Sequence, residues 1–333
     1  RQDFTFFRRA YFPHYCLVGG DSRLHEWLDA ELPRMADAPE GVRLAIAAPR
    51  GEAKSTFVTL FFVLWAVLTG RKHYILIIAD ALEQAASLLG AVKDELEFNE
   101  ALKRDFPGAG KGHVWNVGTV VTPGNVKIQA LGAGKRMRGL RHGPHRPDLI
   151  VLDDLENDGN VDKPEQRDKL QSWLQKTVLN LGAADGSMDV VYVGTLLHYD
   201  SVLARTLRKP LWKARTFRSI LRWPDRMDLW DEWESLLSSR GEAEARRFYC
   251  QHRAKMEAGA EVSWPASRPL YRLMCLRVED REAFDSEQQN DPLSANEAPF
   301  NGCITFWVDR SRDWLLFGAV DPSLGKQGAG RDP

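Results

Sequence analysis

The feature that most constrains this chain is a short apolar run that leads through a polar turn into a second, longer apolar run. Residues 44–48 are apolar, the turn Pro49-Arg-Gly-Glu-Ala-Lys-Ser-Thr56 follows, and residues 57–68 are almost entirely apolar. The second run has about a dozen residues, whereas a membrane-spanning helix needs about 20. We therefore predict a buried strand, a turn and a buried helix, with the lysine and hydroxyl side chains of the turn at the start of the helix.

Strand-like and helix-like patterns alternate along most of the chain, after a helical, aromatic lead-in over residues 1–42. We expect the aromatic residues from Phe4 to Phe12 in the core, and an adenine pocket is the alternative. Such alternation predicts an α/β fold with a mainly parallel sheet and helices on both faces. Parallel strands end at one edge of a sheet, so Ala48, Asp153 and Thr195, which follow three of the strands, should lie close together. The predicted strands are 44–48, 74–79, 126–131, 149–152 and 189–193; the predicted helices are 55–69, 81–104 with Asp80 as N-cap, and 162–181.

Composition excludes some classes of protein. The 333 residues carry a net charge of -1, so any contact with nucleic acid must rest on a local patch rather than on a globally basic surface. The four cysteines (Cys16, Cys250, Cys275 and Cys303) are far apart and show no CxxC spacing. They predict neither a zinc knuckle nor a disulfide framework, and they fit a reduced, cytoplasmic compartment.

The turn at residues 49–56 has the character of a phosphate-binding loop. Such a loop points backbone N–H groups and a helix N-terminus at phosphate, and its lysine reaches the outer phosphates. Against the spacing G-x-x-x-x-G-K-[ST], alanines stand at both glycine positions (Ala48 and Ala53), and the alternative is a strand–turn–helix whose lysine is merely solvated. The residues predicted to bind a nucleotide are Arg50, Gly51, Glu52, Ala53, Lys54, Ser55 and Thr56.

Paired aspartates follow the apolar residues 149–152. A carboxylate at the end of a buried strand is costly unless it binds a cation or accepts hydrogen bonds. We therefore predict that Asp153 holds Mg²⁺ together with Ser55. Asp154 is then placed to activate water as a base, and Glu156 competes for the same role. A pair of helix-capping aspartates is the structural alternative.

A loop rich in glycine and arginine, residues 132–146, precedes the acidic strand. One of Arg136, Arg138 and Arg141 could reach the γ-phosphate of a neighbouring subunit as an arginine finger. The same residues could instead contact DNA phosphates, or be simply solvated. The sequence leaves these alternatives open.

Thr195 follows the predicted strand at residues 189–193 in a small turn. Its hydroxyl could report the state of a bound nucleotide to the rest of the domain, although a plain turn is the simpler interpretation. Its predicted place beside Asp153 is what makes it a candidate.

The pattern changes from Trp223 onward. We predict helices at 231–255 and 281–289, and then a β-hairpin from strands 303–308 and 314–320, with Asp321 after the second strand. An acid at that place is how a two-metal nuclease site begins, but its partner carboxylates are missing here. We expect the chain to be part of a longer protein.

Six segments, taken in order, resemble the large terminase subunit of tailed bacteriophages, and the resemblance covers about residues 40–330. Two positions depart from the family pattern: Ala53 replaces a glycine and Asp154 replaces a glutamate. The segments are Ala48-Pro-Arg-Gly-Glu-Ala-Lys-Ser-Thr56, Arg138-Gly-Leu-Arg141, Leu149-Ile-Val-Leu-Asp-Asp-Leu-Glu156, Gly194-Thr-Leu-Leu-His198, Glu282-Ala-Phe-Asp-Ser-Glu-Gln-Gln-Asn-Asp-Pro292 and Phe317-Gly-Ala-Val-Asp-Pro-Ser323.

This resemblance implies a P-loop ASCE-type ATPase over residues 1–222, a helical linker subdomain over 223–300, and the start of a truncated RNase H-like nuclease domain over 301–333. The implied roles are phosphate and Mg²⁺ binding for Lys54, Ser55 and Thr56, metal binding for Asp153, catalysis for Asp154 or, less readily, Glu156, a finger across a ring of subunits for Arg138, coupling for Thr195, and the first nuclease carboxylate for Asp321.

The same resemblance implies an ATP-driven motor that moves double-stranded DNA into a procapsid. Its cofactors would be ATP and Mg²⁺, with Mg²⁺ or Mn²⁺ at a nuclease site that is active only in the full-length protein. Its partners would be a ring of identical subunits on the portal protein and the small terminase subunit, in the host cytoplasm and transiently on the procapsid, with no membrane. A helicase or other translocase of the same P-loop class is one rival, and a degenerate nucleotide-binding scaffold is the other.

Overall fold

The computed structural model of the protein describes residues 2–16 and 18–292. The predicted hairpin and Asp321 lie outside these residues. The described strands form an eight-stranded sheet and a small two-stranded one. In chain order they are β1 (Arg43–Ala47), β2 (Tyr74–Ala79), β3 (Val114–Trp115), β4 (Thr119–Val121), β5 (Lys127–Gly132), β6 (Leu149–Asp153), β7 (Asp189–Gly194), β8 (Lys213–Thr216), β9 (Ile220–Arg222) and β10 (Glu261–Val262).

The large sheet has the order β3-β4-β5-β2-β6-β7-β1-β8. The six strands from β5 to β8 in this order are all parallel, and β3 and β4 extend one edge with antiparallel pairing. This confirms the predicted mainly parallel α/β fold. β7 lies between β1 and β6. The turn that follows β7 therefore has residues 49–56, the predicted phosphate-binding loop (called the phosphate loop below), on one side and the paired aspartates on the other.

Helices connect the strands and form most of residues 227–292, where the described part of the chain ends. In chain order they are α1 (Phe4–Tyr11), α2 (Arg23–Ala36), a π-helical segment (Thr56–Phe62) continued by α3 (Val63–Leu68), α4 (Leu82–Phe98), α5 (Glu100–Asp105), α6 (Asp158–Val161), α7 (Pro164–Lys176), a 3₁₀ turn (Val178–Asn180), α8 (Val202–Leu207), α9 (Met227–Arg240), α10 (Glu242–Met256), α11 (Leu270–Glu279) and α12 (Arg281–Glu287). None of the described helices is both long and apolar enough to cross a bilayer.

The central strands β2, β6, β7 and β1 are buried on both faces, which explains why they are almost continuously apolar. Successive side chains of a strand point to opposite faces. Thus Ile75 and Ile77 of β2 join a core with the lead-in, α3 and α4, while Leu76 and Ile78 join a second core with α7 and α8. Phe4, Phe7, Tyr11 and Phe12 of the lead-in are core residues as expected, and Phe4 packs edge-on against Trp65 of α3. Phe6 is the exception, because 55% of its surface is exposed.

A third apolar cluster lies apart from the sheet. Trp230 and Trp233 of α9 pack edge-on at 5.4 Å between ring centroids, and Tyr249 of α10 and Leu273 of α11 join them. The helices after residue 227 therefore have a core of their own. The boundary predicted at residue 223 stays a prediction.

Several predicted helices are wrong in their details. Asp80 does not cap α4, whose N-cap is Ala81. The Asp80 carboxylate instead accepts hydrogen bonds from the amides of Asn157 and Asn160, at 2.5 and 2.9 Å. The helix does not run unbroken to residue 104, because Asn99 leaves the helical conformation and caps α5 by accepting the N–H of Leu102.

The predicted helix at 231–255 is interrupted by Gly241, which has φ +85° and separates α9 from α10. The predicted helix at 162–181 begins at Pro164 and ends at Lys176 before the 3₁₀ turn. The short strands β3, β4, β8, β9 and β10, and the helix α11, were not predicted. Strands of two to four residues are too short to show a clear period in sequence.

Candidate nucleotide-binding site

The ends of β1, β6 and β7 meet at one edge of the sheet, as predicted. Ala47 pairs with Gly194, and Asp153 pairs with Val193, so the residues after these strands are neighbours. The Thr195 hydroxyl donates to the carbonyl of Ala48 at 3.3 Å. The turn after β7 therefore sits directly against the first residue of the phosphate loop.

Lys54 is buried, with 7% of its surface exposed. Its ammonium donates to Thr195 Oγ1 at 3.0 Å and lies 3.2 Å from Asp154 Oδ2. A buried ammonium is costly unless it is paired. The alternative of a merely solvated lysine is wrong, since the fold draws Lys54 inward to two of the other predicted site residues.

Asp153 is fully buried beneath the loop. Its Oδ1 accepts a hydrogen bond from Ser55 Oγ at 3.0 Å, and its Oδ2 accepts one from Thr59 Oγ1 at 2.5 Å. Burial, with the neighbouring charge of Asp154, raises the pKa of Asp153 to about 6. The helix-capping alternative for the aspartate pair is wrong, because the next helix is capped by Asn157.

Asp154 has the left-handed conformation, with φ +48°. This conformation is tolerated by aspartate better than by most residues, but it still stores strain. Its N–H donates to the carbonyl of Val193 at 3.0 Å, which fixes the backbone while the carboxylate faces Lys54. About a third of the Asp154 side chain remains exposed (34%), so it is open to solvent on one side.

Glu156 points to a different place. Its carboxylate accepts the N–H groups of Val202 at 2.6 Å and Leu203 at 3.0 Å, and the hydroxyl of Tyr192 at 3.1 Å. Burial raises the pKa of Glu156. The residue thereby satisfies the N-terminus of α8, where backbone donors have no helical partner.

The phosphate loop contains two left-handed residues, Gly51 at φ +81° and Ala53 at φ +54°. Between them, the Glu52 side chain is buried and accepts from Ser263 Oγ at 3.1 Å, and its carbonyl is 2.9 Å from His25 Nε2. Burial raises the pKa of Glu52 to about 7. Glu52 therefore anchors the loop from behind instead of facing the strand ends.

Arg50 and Thr56 lie at the two ends of the loop. The exposed guanidinium of Arg50 pairs with Glu287 of α12 at 3.0 Å. Thr56 begins the π-helical segment. That segment also carries Thr59, which the sequence analysis missed although it follows Ser55 by four positions and so lies on the same helical side.

The arginine-rich loop, residues 132–146, is held in place by a buried methionine, whereas its arginine side chains lie in solvent. Met137 is buried in the second core, whereas Arg136, Arg138 and Arg141 are exposed and make no hydrogen bond or ion pair with other described residues. The loop starts at the same sheet edge as the site, because Gly132 pairs with Ala79 at the ends of β5 and β2. The structure gives Arg138 no contact with Lys54.

A cavity of about 550 Å³ opens beside the acidic strand, between the ends of β2, β5 and β6 and helix α7. A second cavity, of about 470 Å³, opens beside the loop and is bordered by Ala53, Thr56 and Phe57. Its other walls include Tyr15, Asp21, His25 and Trp264. This second cavity is continuous with the start of the π-helical segment, and it combines aromatic faces with polar edges.

Solved structures that are similar to this chain include two bacteriophage proteins. The HK97 bacteriophage large terminase is 17% identical with a TM-score of 0.45, over 79% of this chain and 54% of that one. The large terminase ATPase domain of Thermus phage P74-26 is 15% identical with a TM-score of 0.39, over 79% of this chain and 92% of that one. The chain thus spans about half of the HK97 protein. No protein-family model matches the sequence, and no curated protein matches it significantly.

Proposed function

We propose that the chain binds and hydrolyses ATP with Mg²⁺, as the motor of a DNA-packaging machine. One observation carries the ATPase part: the buried ammonium of Lys54 is held between Thr195 and Asp154, beside the Ser55–Asp153 pair. A lysine, a hydroxyl and two carboxylates at one edge of a parallel sheet are the groups that phosphoryl transfer requires.

The donor set suits both implied cofactors. Ser55 Oγ and Asp153 are hard oxygen ligands of the kind that Mg²⁺ prefers, and they already lie within 3.0 Å of each other. Lys54 and the left-handed loop at Gly51 and Ala53 suit phosphate. Mg²⁺ when bound neutralises charge that develops on the phosphates.

Lys54 and Asp154 have complementary tasks in this proposal. Lys54 exchanges its contact with Asp154 for the outer phosphates, and this releases the Asp154 carboxylate. Asp154 then orients a water molecule and accepts its proton as the water oxygen attacks the γ-phosphorus, while the bond to the leaving phosphate oxygen breaks. Lys54 offsets the charge that collects on that oxygen.

Asp154 is favoured over Glu156 as the base because of where each carboxylate points. Glu156 is occupied by Val202, Leu203 and Tyr192, whereas Asp154 faces Lys54 and is partly open to solvent.

The 470 Å³ cavity is the proposed place for the base of the nucleotide. It borders Ala53 and Thr56, the residues on either side of Lys54 and Ser55, so a nucleotide with its phosphates on the loop extends toward it. Tyr15 and Trp264 offer aromatic faces to a purine ring.

The DNA-directed parts of the proposal rest on the sequence resemblance and on the free cations. Arg138 would act on the nucleotide of a neighbouring subunit in a ring, and Thr195 would pass on the nucleotide state. Double-stranded DNA, the portal protein, the small terminase subunit and the procapsid are the proposed partners. Cutting of DNA, with Asp321 as a metal ligand, would belong to the full-length protein.

Steady-state ATP hydrolysis with Mg²⁺ tests the proposal, together with binding of a fluorescent ATP analogue. Lys54→Ala should lower turnover about 100-fold or more, since it removes a charge aimed at the transition state. Lys103→Ala, which removes an exposed lysine of α5, is the matched control and should be without effect. Binding without turnover in the wild type, with and without duplex DNA, would support the degenerate scaffold instead, and ATP-dependent strand separation would support the helicase.

A further inference from the structure

The segment Glu287–Asn290 contacts both halves of the nucleotide site, although it lies at the far end of the described chain. It begins with the last residue of α12 and belongs to the segment ending at Pro292 whose role the proposed function leaves unexplained. The side chains of Gln288, Gln289 and Asn290 are all buried. Three consecutive buried amides need partners, and those partners show what the segment does.

One end of the segment holds the phosphate loop. The N–H of Arg50 donates to the carbonyl of Glu287 at 2.9 Å, in addition to the ion pair between their side chains. The Gln288 amide oxygen accepts from Arg268, and the Arg268 guanidinium packs so closely on Gly51 that a Cβ there would lie 1.9 Å from it. The tip of the loop is therefore fixed from outside by this segment.

The other end holds the turn after β7. Asn290 Oδ1 accepts the N–H of Leu196 at 2.9 Å, and its Nδ2 donates to the carbonyl of Phe217 at 2.8 Å. Leu196 directly follows Thr195. Phe217 in turn donates its N–H to the carbonyl of Ala47 at 2.8 Å. A single amide thus connects the residue after Thr195 to the backbone that flanks β1.

Asparagine suits this position for two physical reasons. Asn290 has φ +49°, a conformation that asparagine adopts more readily than other residues with a Cβ. Its side chain also supplies one acceptor and one donor, which match the buried N–H and the buried carbonyl. Without the amide, both backbone groups would be left unpaired in the interior.

We propose that Asn290 is a positioning residue of the ATPase site, which holds Thr195 in contact with Lys54, and that Glu287–Asn290 links this contact to the phosphate loop. This inference rests on the proposed function. Asn290 touches no reacting atom in it. It acts through the Leu196 N–H and therefore on the geometry around the Lys54 ammonium.

Two substitutions distinguish the effect of the Asn290 backbone conformation from the effect of its side-chain hydrogen bonds. Asn290→Gly permits the left-handed conformation but removes both hydrogen bonds. Asn290→Asp keeps an acceptor for the Leu196 N–H and loses the donor to Phe217. Asn125→Gly is the matched control, because Asn125 also has a left-handed backbone, at φ +58°, but lies in an exposed turn before β5.

The test compares kcat and KM for ATP in the wild type and the three variants. Asn290→Gly should lower kcat about tenfold or more with KM changed less than about threefold, since a lost buried hydrogen bond of this kind is worth about that factor. Asn290→Asp should recover part of the loss, and Asn125→Gly should match the wild type. Wild-type kcat in a folded Asn290→Gly protein, or no difference between the Gly and Asp variants, would overturn the inference.

Hydrogen exchange at the Leu196 amide provides a readout that does not depend on hydrolysis. In Asn290→Gly this amide should exchange about tenfold faster or more than in the wild type, with Asn290→Asp in between. If the wild type hydrolyses no ATP, the proposed function fails. This measurement still shows whether Asn290 holds the Leu196 N–H. Unchanged exchange at Leu196 would overturn the inference whatever the hydrolysis rate.

Discussion

Left-handed backbone conformations mark both sides of the candidate site: Gly51 and Ala53 in the phosphate loop, and Asp154 opposite them. Such conformations cost residues with a Cβ about 1–2 kcal/mol, and they persist where the surrounding contacts enforce them. At Gly51 the contact that enforces the shape is the guanidinium of Arg268, so the residue is constrained both by its backbone angle and by lack of space.

Gly51→Ala should therefore destabilise the protein more than a glycine replacement at an unconfined site. Gly186 has a similar φ of +75°, but no heavy atom lies within 4 Å of the position that a Cβ would take. Gly186→Ala is therefore the matched control. Both variants lose about 1 kcal/mol from the backbone, and Gly51→Ala should lose about 1 kcal/mol more because Arg268 must leave Gln288. Denaturant unfolding measures the difference, and equal midpoints would show that Arg268 moves aside at no cost.

The two candidate bases, Asp154 and Glu156, have different hydrogen-bond partners. Replacing each carboxylate by the amide of the same size shows which of them hydrolysis requires. Asp154→Asn should lower kcat for ATP about 100-fold or more. It should also lower the free energy of unfolding by about 1 kcal/mol or more, because it removes the charge that pairs with the buried Lys54 ammonium. Glu156→Gln places an amide against the N–H groups of Val202 and Leu203. It should lower the free energy of unfolding by about 1–3 kcal/mol, with kcat changed less than about tenfold.

Kinetics and denaturant unfolding of variants within the same three-residue stretch make this comparison direct. The reverse result, in which Glu156→Gln stops hydrolysis in a stable protein and Asp154→Asn does not, would assign the base to Glu156 and would require its carboxylate to leave α8 during turnover.

At the scale of elements, the phosphate loop is joined to α2 and to the segment after β10 through Glu52. The Glu52 carboxyl has a pKa of about 7 in the folded protein, against 4.5 for an ordinary glutamate, chiefly because it is buried. Between these two values the folded chain holds a proton that the unfolded chain has released. The contribution of Glu52 to the free energy of unfolding is thus fully present below about pH 4.5 and is lost as the pH rises to about 7.

Glu52→Gln should remove this dependence, because the amide stays neutral. Its free energy of unfolding should match the wild type near pH 4.5 and exceed it above pH 7 by an amount on the order of 3 kcal/mol. Ser263→Ala should extend the window to higher pH, since the Ser263 hydroxyl lowers the pKa of Glu52. Denaturant titrations at a series of pH values measure both effects, and a constant difference between Glu52→Gln and wild type would contradict them.

The parts of the fold that the sequence predicts are the buried ones. β2 was predicted residue for residue, because it is covered on both faces and every position is apolar. The edge strand β8 was missed, because all four of its residues are exposed and no burial pattern marks them. The breaks at Asn99 and Gly241 depend on a local cap and on a single left-handed residue, which an amphipathic pattern does not reveal.

The sequence predicts those site residues that belong to recognisable motifs. Lys54, Ser55, Asp153 and Thr195 were identified because each follows an apolar run that ends at one sheet edge. The residues that hold the neighbouring backbone and Glu52 in place, namely His25, Ser263, Arg268 and Asn290, come from distant segments and have no characteristic spacing. Glu156 illustrates the limit: sequence places it close to Asp154, and only the position of α8 shows what its carboxylate binds.

At the scale of the whole molecule, the proposed role of Arg138 requires a neighbouring subunit, because its guanidinium would act on the nucleotide bound there. Lys54→Ala and Arg138→Ala should each be inactive, and a mixture of the two should regain activity if Arg138 acts on a neighbour. In an equal mixture about a quarter of the sites combine an intact lysine with an intact neighbouring arginine, so about a quarter of the wild-type rate is expected.

The hydrolysis rate of the mixture, compared with each variant alone across protein concentrations, is the measurement. Arg136→Ala and Arg141→Ala, from the same loop, are the controls and should retain activity. An inactive mixture beside an active wild type would place Arg138 on its own subunit or outside the reaction. If Arg141→Ala regained activity in a mixture with Lys54→Ala and Arg138→Ala did not, the finger would be Arg141 instead of Arg138.

The backbone bond between Arg50 and Glu287 also constrains the order in which the protein can become functional. Chains are synthesised from the N-terminus, and the strands, the lysine and both aspartates leave the ribosome long before Glu287 does. A nascent chain that ends before this segment can form its sheet, yet its phosphate loop lacks an outer support and its Thr195 turn lacks Asn290. Under the proposed function, ATP hydrolysis would then begin only when translation has passed α12, and chains that end before it would not consume ATP.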